Sequence, residues 1–490
     1  MRHNRTRMRH GDRISALDAS FLHLEKAGER LHVASVTIFD GPAPSWDELR
    51  EHVEARLHLV PRFRQRLAEV PLDQGRPVWV DDPHFNLRYH LRHTALPAPG
   101  TDDQLKALAG RLFALGLDRS KPLWELNLVE GLEGDRFAVI AKTHHALVDG
   151  VSGVDITSVL FDTSPDPAPV AREKAEWIAR PEPSSAQLLA QALLERATVP
   201  GEAARGLRAA TRAPRRVLGQ VGERLVGVGA MAWAGLDPAP PSPFNVPIGP
   251  HRRYTWVDAE VAQFKAIKTE LGGTLNDVVL AAVALALGRF LRRRGEPTDG
   301  VVLKAMVPVS VRLDAERGAL GNRVAAMYAP LPVGFEDPRA VLEQVSKAMR
   351  GLKESGQAVG AVALTSLADF APPTIMSQAA RLQARQRYFN LVVTNVPGPQ
   401  IPLYLLGREM QRFYPVVPLA HHQALGIAIM SYDGRLAFGL LGEYDVVPDL
   451  EDLAGDLRRA IDALAREAGV PVSAAARAPR SRRRAPAGAR

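Results

Sequence analysis

Two adjacent histidines, His144 and His145, are the residues of this chain whose type and spacing best suit acid–base chemistry. They lie in KTHHALVDGVSG, residues 142 to 153, where Asp149 and Gly150 follow within six residues. The ordinary pKa of histidine, about 6.5, makes a neutral imidazole suited to accept a hydroxyl proton at physiological pH. Gly150 gives backbone freedom for a tight turn, in which Asp149 can bond locally or to an arginine. The pattern favours a general base fixed at the end of a strand.

The two imidazoles cannot line one cavity if a β-strand continues through both, because successive side chains of a strand point to opposite faces. A metal site is a second interpretation. It is disfavoured because neighbouring histidines splay apart, and neither an HExxH helix nor a carboxylate cluster accompanies them. A histidine that merely packs in the core is a third. We prefer a general base supported by its neighbour, with no metal.

The composition bounds the remaining chemistry. A chain of 490 residues exceeds the size at which one hydrophobic core stops growing, so it predicts two domains. The absence of cysteine excludes disulfides, thiolate metal sites and a thiol nucleophile, and it fits the cytosol. No GxSxG elbow occurs either, so covalent catalysis has no obvious nucleophile.

The positive charge is concentrated at the two ends of the chain. The net charge is +8, of which the first thirteen residues carry +4 and the six arginines from Pro471 onward carry +6, leaving −2 for the body. Basic ends of this kind can touch anionic lipid or nucleic acid without specificity. We therefore expect no specific nucleic-acid partner, and peripheral membrane association remains open.

No targeting or membrane-spanning segment is visible in the sequence. The basic N-terminus lacks the apolar stretch of a secretory signal. The longest strongly apolar run, VVLAAVALAL at 278–287, has ten residues, and a spanning helix requires about 20. The run predicts a buried helix in a cytoplasmic protein, which could still lie on the inner membrane surface or on lipid droplets.

The elements that must position the histidines form an α/β pattern. Alternating or β-branched stretches predict strands, and apolar residues at helical spacing predict helices. Strands are predicted at 31–39, 136–145, 301–312, 324–333, 389–398, 425–434 and 435–444. Helices are predicted at 45–57, 338–353 and 449–467, and a capping box of Thr274 and Asp277 precedes the apolar helix. Asp433 and Gly434 predict a hairpin turn.

Shifts in composition divide the chain into five parts. We predict basic arms at 1–13 and 469–490, an N-terminal domain at 14–163 that carries the histidines, a Pro-rich and partly helical linker at 164–250, and a C-terminal domain at 251–468.

HHALVDG resembles the HHxxxDG motif of the coenzyme A-dependent acyltransferase superfamily, and further segments narrow the resemblance to its bacterial wax ester synthase/diacylglycerol acyltransferase family. In order, these are ALDASFLHLE (16–25), VPRFRQRL (60–67), PLWEL (122–126), LNDVV (275–279), MVPVSVR (306–312), GNR (321–323), TNVPGP (394–399) and SYDGRLAFGL (431–440). The similarity extends over residues 14 to 468.

The resemblance implies an α/β fold of two chloramphenicol-acetyltransferase-like domains, each a mixed sheet flanked by helices, with the active site in a channel between them. It implies fatty acyl transfer from acyl-coenzyme A to diacylglycerol or a long-chain alcohol, with no other cofactor. By position, it makes His145 the general base and His144 its support, while Asp149 and Gly150 hold the loop.

Other motif residues have a functional and a purely structural interpretation. Pro122, Leu123 and Trp124 either line an acyl channel or pack in the core. Asn276, or the TNVPGP segment with Asn395, is a candidate oxyanion donor by resemblance only, while Asp277 caps a helix. Arg312 and Arg323 either bond Asp149, steady the domain interface or lie on the surface. The sequence leaves these choices open.

A second histidine pair, in AHHQALG at 420–426, departs from the family pattern. Leu425 and Gly426 stand where Asp and Gly would be required, so the pair is predicted to be nonfunctional or to line the channel. Two rival functions remain: a transferase that accepts acyl groups from a carrier protein, as condensation domains do, and noncatalytic lipid binding on storage droplets. The intact HHxxxDG motif weighs against the second.

Overall fold

The computed structural model describes residues 13–25, 28–147, 159–168, 170, 177–195, 238–310, 324–354 and 388–472. The arms beyond these bounds, most of the linker, and the loops around 148–158 and 311–323 lie outside the description. The described residues form two six-stranded sheets and one two-stranded sheet.

The N-terminal sheet carries the histidine pair on a central strand. Its order is β11-β12-β1-β6-β5-β4. The bounds are β1 His32–Asp40, β4 Leu91–Ala95, β5 Trp124–Leu132, β6 Arg136–His144, β11 Tyr404–Leu405 and β12 Arg408–Val416. Strand β6 is antiparallel to both β1 and β5, so it has neighbours on both sides along its length. This fixes the end of β6, where His144 stands.

Helices and short strands cover the N-terminal sheet. They are α1 Ala16–Leu24, α2 Trp46–Glu54, α3 Leu87–His90 and α4 Asp102–Ala114, with the two-stranded sheet of β2 Gln65–Ala68 and β3 Val78–Asp81. Ser45 and Glu48 form a capping box that starts α2, one residue inside the predicted helix. In the predicted linker, residues 185–195 are helical, and Leu188 and Ala192 pack on β2 and β3.

The C-terminal sheet mixes parallel and antiparallel strands in the order β7-β14-β13-β10-β8-β9. The bounds are β7 Arg252–Glu260, β8 Val302–Ser310, β9 Val324–Pro332, β10 Leu391–Pro397, β13 Leu425–Tyr432 and β14 Arg435–Glu443. Strand β10 is parallel to β13 and β8, and the other pairs are antiparallel. Asp433 and Gly434 both have positive φ between β13 and β14, as the predicted tight hairpin requires.

Four helices pack on the C-terminal sheet: α5 Val261–Leu271, α6 Leu275–Arg293, α7 Pro338–Glu354 and α8 Leu450–Glu467. The apolar run predicted to be a buried helix is the middle of α6, and its residues 278–287 are each 1% exposed or less. Among the described helices none is long and apolar enough to span a membrane alone. Helices α5 and α6 meet that test only together, across a bend of 96°.

Strands β11 and β12 belong to the C-terminal half of the sequence but lie in the N-terminal sheet. They follow β10 in sequence, but β12 pairs with β1 in the N-terminal sheet, from Ala34 opposite Val416 to Phe39 opposite Met410. The residues assigned by composition to the C-terminal domain therefore contribute two strands to the N-terminal sheet. An apolar cluster shared by both halves, including Ile140, Tyr254, Trp256 and Tyr414, lies behind this crossing.

The structure confirms the expected α/β class with mixed sheets flanked by helices. The strand bounds agree with the predicted ones to within two residues wherever both ends are described.

Candidate active site

The two histidines occupy different structural elements. Strand β6 ends at His144, and His145 begins a single 3-10 turn that reaches Leu147. Because the strand does not continue through His145, the alternation of side chains along a strand does not determine where the two rings point. The two rings nevertheless face different neighbours, because His144 stands opposite His32 of β1, whereas the His145 ring packs on Phe21 of α1 with centroids 4.1 Å apart.

His144 is a buried structural residue with a defined tautomer. Its ring accepts a hydrogen bond at Nδ1 from the backbone N–H of Ala146, 3.0 Å away. An imidazole nitrogen that accepts cannot carry the proton, so the neutral ring is protonated at Nε2. Nε2 lies 3.5 Å from the Oε2 atom of Glu25. His144 thereby contacts both Ala146 of the 3-10 turn and Glu25 at the end of α1.

The Glu25 carboxylate lies close to three side chains from separate parts of the chain: His144, His32 and Arg119. His32 Nε2 lies 3.3 Å from its Oε1 atom, and Arg119 donates to its Oε2 atom at 2.8 Å. Burial alone would raise the pKa of Glu25, but the nearby rings of His144 and His32 and the hydrogen-bonded Arg119 outweigh it and hold the pKa far below its usual value. Burial lowers the pKa of His32 to about 4, against the opposing effect of Glu25. At neutral pH the cluster thus contains the Glu25 carboxylate, the Arg119 cation and the neutral imidazole of His32.

His145 is partly exposed at the start of the turn, in contrast to its fully buried neighbour. Its Nδ1 atom is buried and makes no hydrogen bond of normal geometry within the described residues. Burial, and next the nearby His144, lower the pKa of His145 to about 4, and an interaction with its own backbone only partly opposes them. The ring is therefore neutral at pH 7, as a general base must be.

A short segment before β1 holds the backbone of His145 and reaches the C-terminal half. The N–H of His145 donates to the carbonyl of Leu31 at 2.9 Å. Two residues earlier, Glu29 bonds to His421, and Arg252 donates to the carbonyl of Gly28 at 2.5 Å. His145 is therefore held by a segment that also bonds to residues of the C-terminal half.

The second histidine pair lies at this contact between the halves. The Nδ1 atom of His421 bonds to the buried carboxylate of Glu29, and the two rings of the pair meet edge to face with centroids 4.0 Å apart. The backbone of His422 has φ +55°, and its carbonyl accepts from Asn245 at 3.1 Å. His421 is a structural contact between the halves, a role that the sequence prediction did not assign to it.

The Pro-Leu-Trp motif is core packing next to the site. Leu123 and Trp124 are 0% and 1% exposed. The Trp124 indole donates to the Phe63 carbonyl at 2.8 Å and stacks on the ring of His90 at 4.6 Å. Directly after Pro122, the carbonyl of Leu123 accepts the backbone N–H of His144 at 2.9 Å. The motif therefore supports the histidine pair through the backbone.

Asn276 and Asn395, the two asparagines of the C-terminal motifs, are hydrogen-bonded to each other. Asn395, on β10, donates from Nδ2 to the Oδ1 atom of Asn276 at 3.2 Å. Asp277 forms the predicted capping box, in which its carboxylate accepts from the N–H of Thr274 at 2.8 Å and its own N–H bonds to the Thr274 hydroxyl at 3.2 Å. Asp277 is thus engaged as a helix cap, whereas the amide pair has no described contact with His145.

Several predicted residues fall outside the described residues: Asp149, Gly150, Arg312 and Arg323. Within the described ranges, no group of three or more His, Asp or Glu residues could hold a metal ion.

Sequence reasoning did not single out Glu25, His32 or Arg119. The only available signal was the ALDASFLHLE segment, which was noted for resemblance and ends at Glu25. The pairing of His32 with His144 depends on the register of β1 and β6, which residue types alone do not specify.

Comparison with known proteins covers nearly the whole chain. Residues 14–279 match the profile described as "Wax ester synthase/diacylglycerol acyltransferase catalytic domain", and residues 320–465 match the "WS/DGAT C-terminal domain". Two Mycobacterium tuberculosis proteins named as diacylglycerol O-acyltransferases are each 34% identical to this chain. One alignment covers 92% of this chain and 90% of the relative, and the other covers 92% and 95%.

Solved structures resemble this one over the same length. The wax ester synthase/diacylglycerol acyltransferase from Marinobacter aquaeolei superposes with a TM-score of 0.65 at 27% identity, covering 94% of this chain and 100% of that one. The starter condensation domain of rhizomide synthetase has a TM-score of 0.56 at 14% identity, with 94% and 95% covered. The latter likeness is one of fold alone.

Proposed function

We propose, because this chain belongs to the wax ester synthase/diacylglycerol acyltransferase family, that it moves a fatty acyl group from acyl-coenzyme A to an acceptor hydroxyl with His145 as the general base. The relatives named as diacylglycerol O-acyltransferases support an acyl-coenzyme A-dependent acyltransferase as the activity. The finer assignment of the acceptor, diacylglycerol or a long-chain alcohol, is part of the proposal.

One observation carries the assignment of His145. Of the two rings in the motif, only His145 is partly exposed, and its low pKa keeps it neutral at pH 7. His144 is 1% exposed and has both nitrogens turned toward protein groups, Ala146 on one side and Glu25 on the other. A substrate hydroxyl can therefore approach the second histidine and not the first.

The chemistry balances with one imidazole. Neutral His145 accepts the acceptor's hydroxyl proton as that oxygen forms a bond to the thioester carbonyl carbon. The tetrahedral oxyanion collapses, the carbon–sulfur bond breaks, and the imidazolium returns the proton to the leaving thiolate. Because burial disfavours the charged ring, the imidazolium gives up its proton readily. The thioester supplies the driving force, so the reaction requires no further cofactor.

The proposed partners are acyl-coenzyme A, diacylglycerol or a fatty alcohol, and a lipid surface that supplies them. Both acceptors partition into membranes or lipid droplets, and both ends of the chain are basic. Peripheral contact of a cytoplasmic enzyme with such a surface is consistent with these properties.

The direct test is transfer of a labelled acyl group by the purified protein. Incubation with labelled palmitoyl-coenzyme A and a panel of diacylglycerols and alcohols should yield labelled ester, and His145→Ala should lower turnover by about 100-fold or more. His23→Ala is a matched control, because His23 is exposed on α1. Turnover in His145→Ala equal to that of the wild type would remove the base assignment.

Steady-state kinetics test whether transfer is direct. With no cysteine and no GxSxG elbow, double-reciprocal plots should intersect, and no label should remain on protein denatured after exposure to palmitoyl-coenzyme A alone. Parallel lines with a stably acylated protein would instead require a nucleophile and another role for His145.

A further inference from the structure

Arg30 is a half-buried cation without a partner. Its Nε atom is shielded from solvent, and its guanidinium makes no hydrogen bond or ion pair with any residue that the structure describes. A half-buried arginine normally binds carboxylates or carbonyls, because an unsatisfied buried charge is costly. Arg119 and Arg252, which flank the same segment, both have such partners. Arg30 therefore has unused capacity for an anion.

The guanidinium lies against an exposed loop, where a ligand can reach it. A Cβ atom on Gly116 would come within 3.0 Å of the Arg30 Cζ and Nη1 atoms. Gly116 and the neighbouring Leu115, at the end of α4, are exposed. The absence of a side chain at Gly116 thus leaves room for the flat guanidinium at the protein surface.

The acidic groups that act on the cationic neighbours of Arg30, which are Lys142 and Arg252, already have partners. Glu29 bonds to His421, and the Glu125 carboxylate lies 2.7 Å from the ammonium of Lys142. Glu443 accepts backbone N–H groups of Asp445 and Val446 at 2.8 and 2.7 Å. No described carboxylate of this group turns to Arg30.

A second cation reinforces the positive potential. Arg252 is 5% exposed and its guanidinium donates to the carbonyls of Gly28, Gly249 and His251. Burial lowers the pKa of Arg252 to about 10, and repulsion by Arg30 adds to that effect while Glu443 opposes it. The two arginines thus lie close enough to interact, and neither has a direct carboxylate contact within the described residues.

The position of Arg30 relates this potential to the chemistry. The next residue, Leu31, accepts the backbone N–H of His145 at 2.9 Å, and the preceding residue, Glu29, bonds to His421 of the C-terminal half. Arg30 therefore stands beside the contact between the two halves, one residue from the point that holds the base.

We propose that Arg30 binds a phosphate group of the phosphopantetheine thioester that donates the acyl chain. The inference rests on the function proposed above and extends it to the donor site. A planar guanidinium can hold a phosphate through two parallel N–H···O bonds, and half-burial strengthens them relative to open solvent. The donor of an acyl-coenzyme A reaction always carries such phosphates, whereas diacylglycerol and fatty alcohols carry none.

Two acyl donors, one with phosphates and one without, distinguish a lost phosphate contact from a general defect in folding. Arg30→Gln should raise the KM for palmitoyl-coenzyme A by about 10- to 100-fold with little change in kcat, the usual loss for a charge-assisted phosphate contact. It should leave kcat/KM for S-palmitoyl-N-acetylcysteamine, which has no phosphate, within about twofold of the wild type. Arg30→Lys should restore only part of the loss, because an ammonium keeps the charge but cannot form the two parallel N–H···O bonds. Arg339→Gln is the control, because Arg339 is an exposed arginine on α7 paired with Glu467.

Further donors identify which phosphate is bound. A loss that persists with palmitoyl-4′-phosphopantetheine or a palmitoylated carrier protein supports contact with the pantetheine phosphate. A loss confined to palmitoyl-coenzyme A supports contact with the nucleotide phosphates. An unchanged KM in Arg30→Gln, or an equal loss with the phosphate-free donor, would overturn the proposal.

Calorimetric titration with coenzyme A measures binding at Arg30 without depending on turnover. If the wild type transferred no acyl group from any donor, the proposed function would fail. Weaker coenzyme A binding by Arg30→Gln than by the wild type would still support the anion site, and equal binding would remove it.

Discussion

The Oε2 atom of Glu25 lies 3.5 Å from the Nε2 atom of His144, so the first histidine of the motif is turned toward a carboxylate of its own chain. The other ring nitrogen is occupied by a backbone N–H. These contacts give the first ring a structural role and leave the second ring as the candidate base.

Replacing Glu25 by glutamine should destabilise the protein. The change removes the anion that Arg119, His32 and His144 share, and leaves two buried imidazoles facing a neutral amide. We expect the free energy of unfolding to fall by about 2–4 kcal/mol, as measured by urea denaturation. Glu130→Gln provides the control, because Glu130 pairs with His93 at an exposed site. Equal denaturation midpoints for Glu25→Gln and the wild type would refute a central role for this carboxylate.

The acid limb of the activity profile should lie well below the ordinary histidine range. With a pKa of about 4, His145 is about 90% neutral at pH 5, whereas a ring with a pKa of 6.5 would be only about 3% neutral. Protonation removes the base, so activity is lost as the pH falls through the pKa of the folded protein. We expect kcat/KM at pH 5 to stay within about twofold of its value at pH 7. A decline of tenfold or more, with the protein still folded, would contradict the assignment.

Stability should decline with acid earlier than activity does. Burial lowers the pKa of His90 to about 4, although its ring bonds to the Trp124 carbonyl. Below pH 6.5 His90 binds a proton in the unfolded chain but stays neutral in the folded protein. Falling pH therefore favours unfolding progressively until about pH 4, where the folded ring is protonated too. His90→Asn can still donate to Trp124 but cannot titrate. Its loss of unfolding free energy between pH 7 and pH 5 should be about 2 kcal/mol smaller than that of the wild type, and an equal loss would be inconsistent with this account.

Asp277 should matter for stability and not for turnover. Asp277→Ala removes the carboxylate that accepts from the Thr274 N–H, while the backbone N–H of residue 277 can still bond to the Thr274 hydroxyl. The change should cost about 1 kcal/mol of unfolding free energy and leave kcat within about twofold. Asn276→Ala, one residue earlier, keeps the cap and serves as the comparison. A large drop in kcat without loss of stability in Asp277→Ala would instead place this carboxylate in the chemistry.

Removal of the basic ends should weaken attachment to anionic lipid. A chain reduced to residues 13–472 loses most of the positive charge at both ends, and each basic residue near an anionic surface contributes about 1 kcal/mol. We expect less sedimentation with phosphatidylglycerol vesicles and unchanged activity on detergent-dispersed substrate, with phosphatidylcholine vesicles as the control. Equal sedimentation of both proteins would place the contact in the body.

The predictable features were those encoded by neighbours in sequence. The cap of α6 and the hairpin at Asp433 and Gly434 each depend on residues within a few positions, and both appear as predicted. The partners of His144 were not predictable. Glu25, His32 and Arg119 come from separate elements, and only the register of the sheet and the packing of α1 bring them together.

The pairing of β12 with β1 also has a consequence for synthesis on the ribosome. A nascent chain that has released residues 32–144 holds β1 with β6 beside it, but the other side of β1 has no partner until residues 408–416 emerge. For more than 260 residues of translation the N-terminal sheet therefore has an open edge, the kind of surface through which unfinished chains join one another. The N-terminal half expressed alone retains that open edge permanently, so the two halves depend on each other from the first stages of folding.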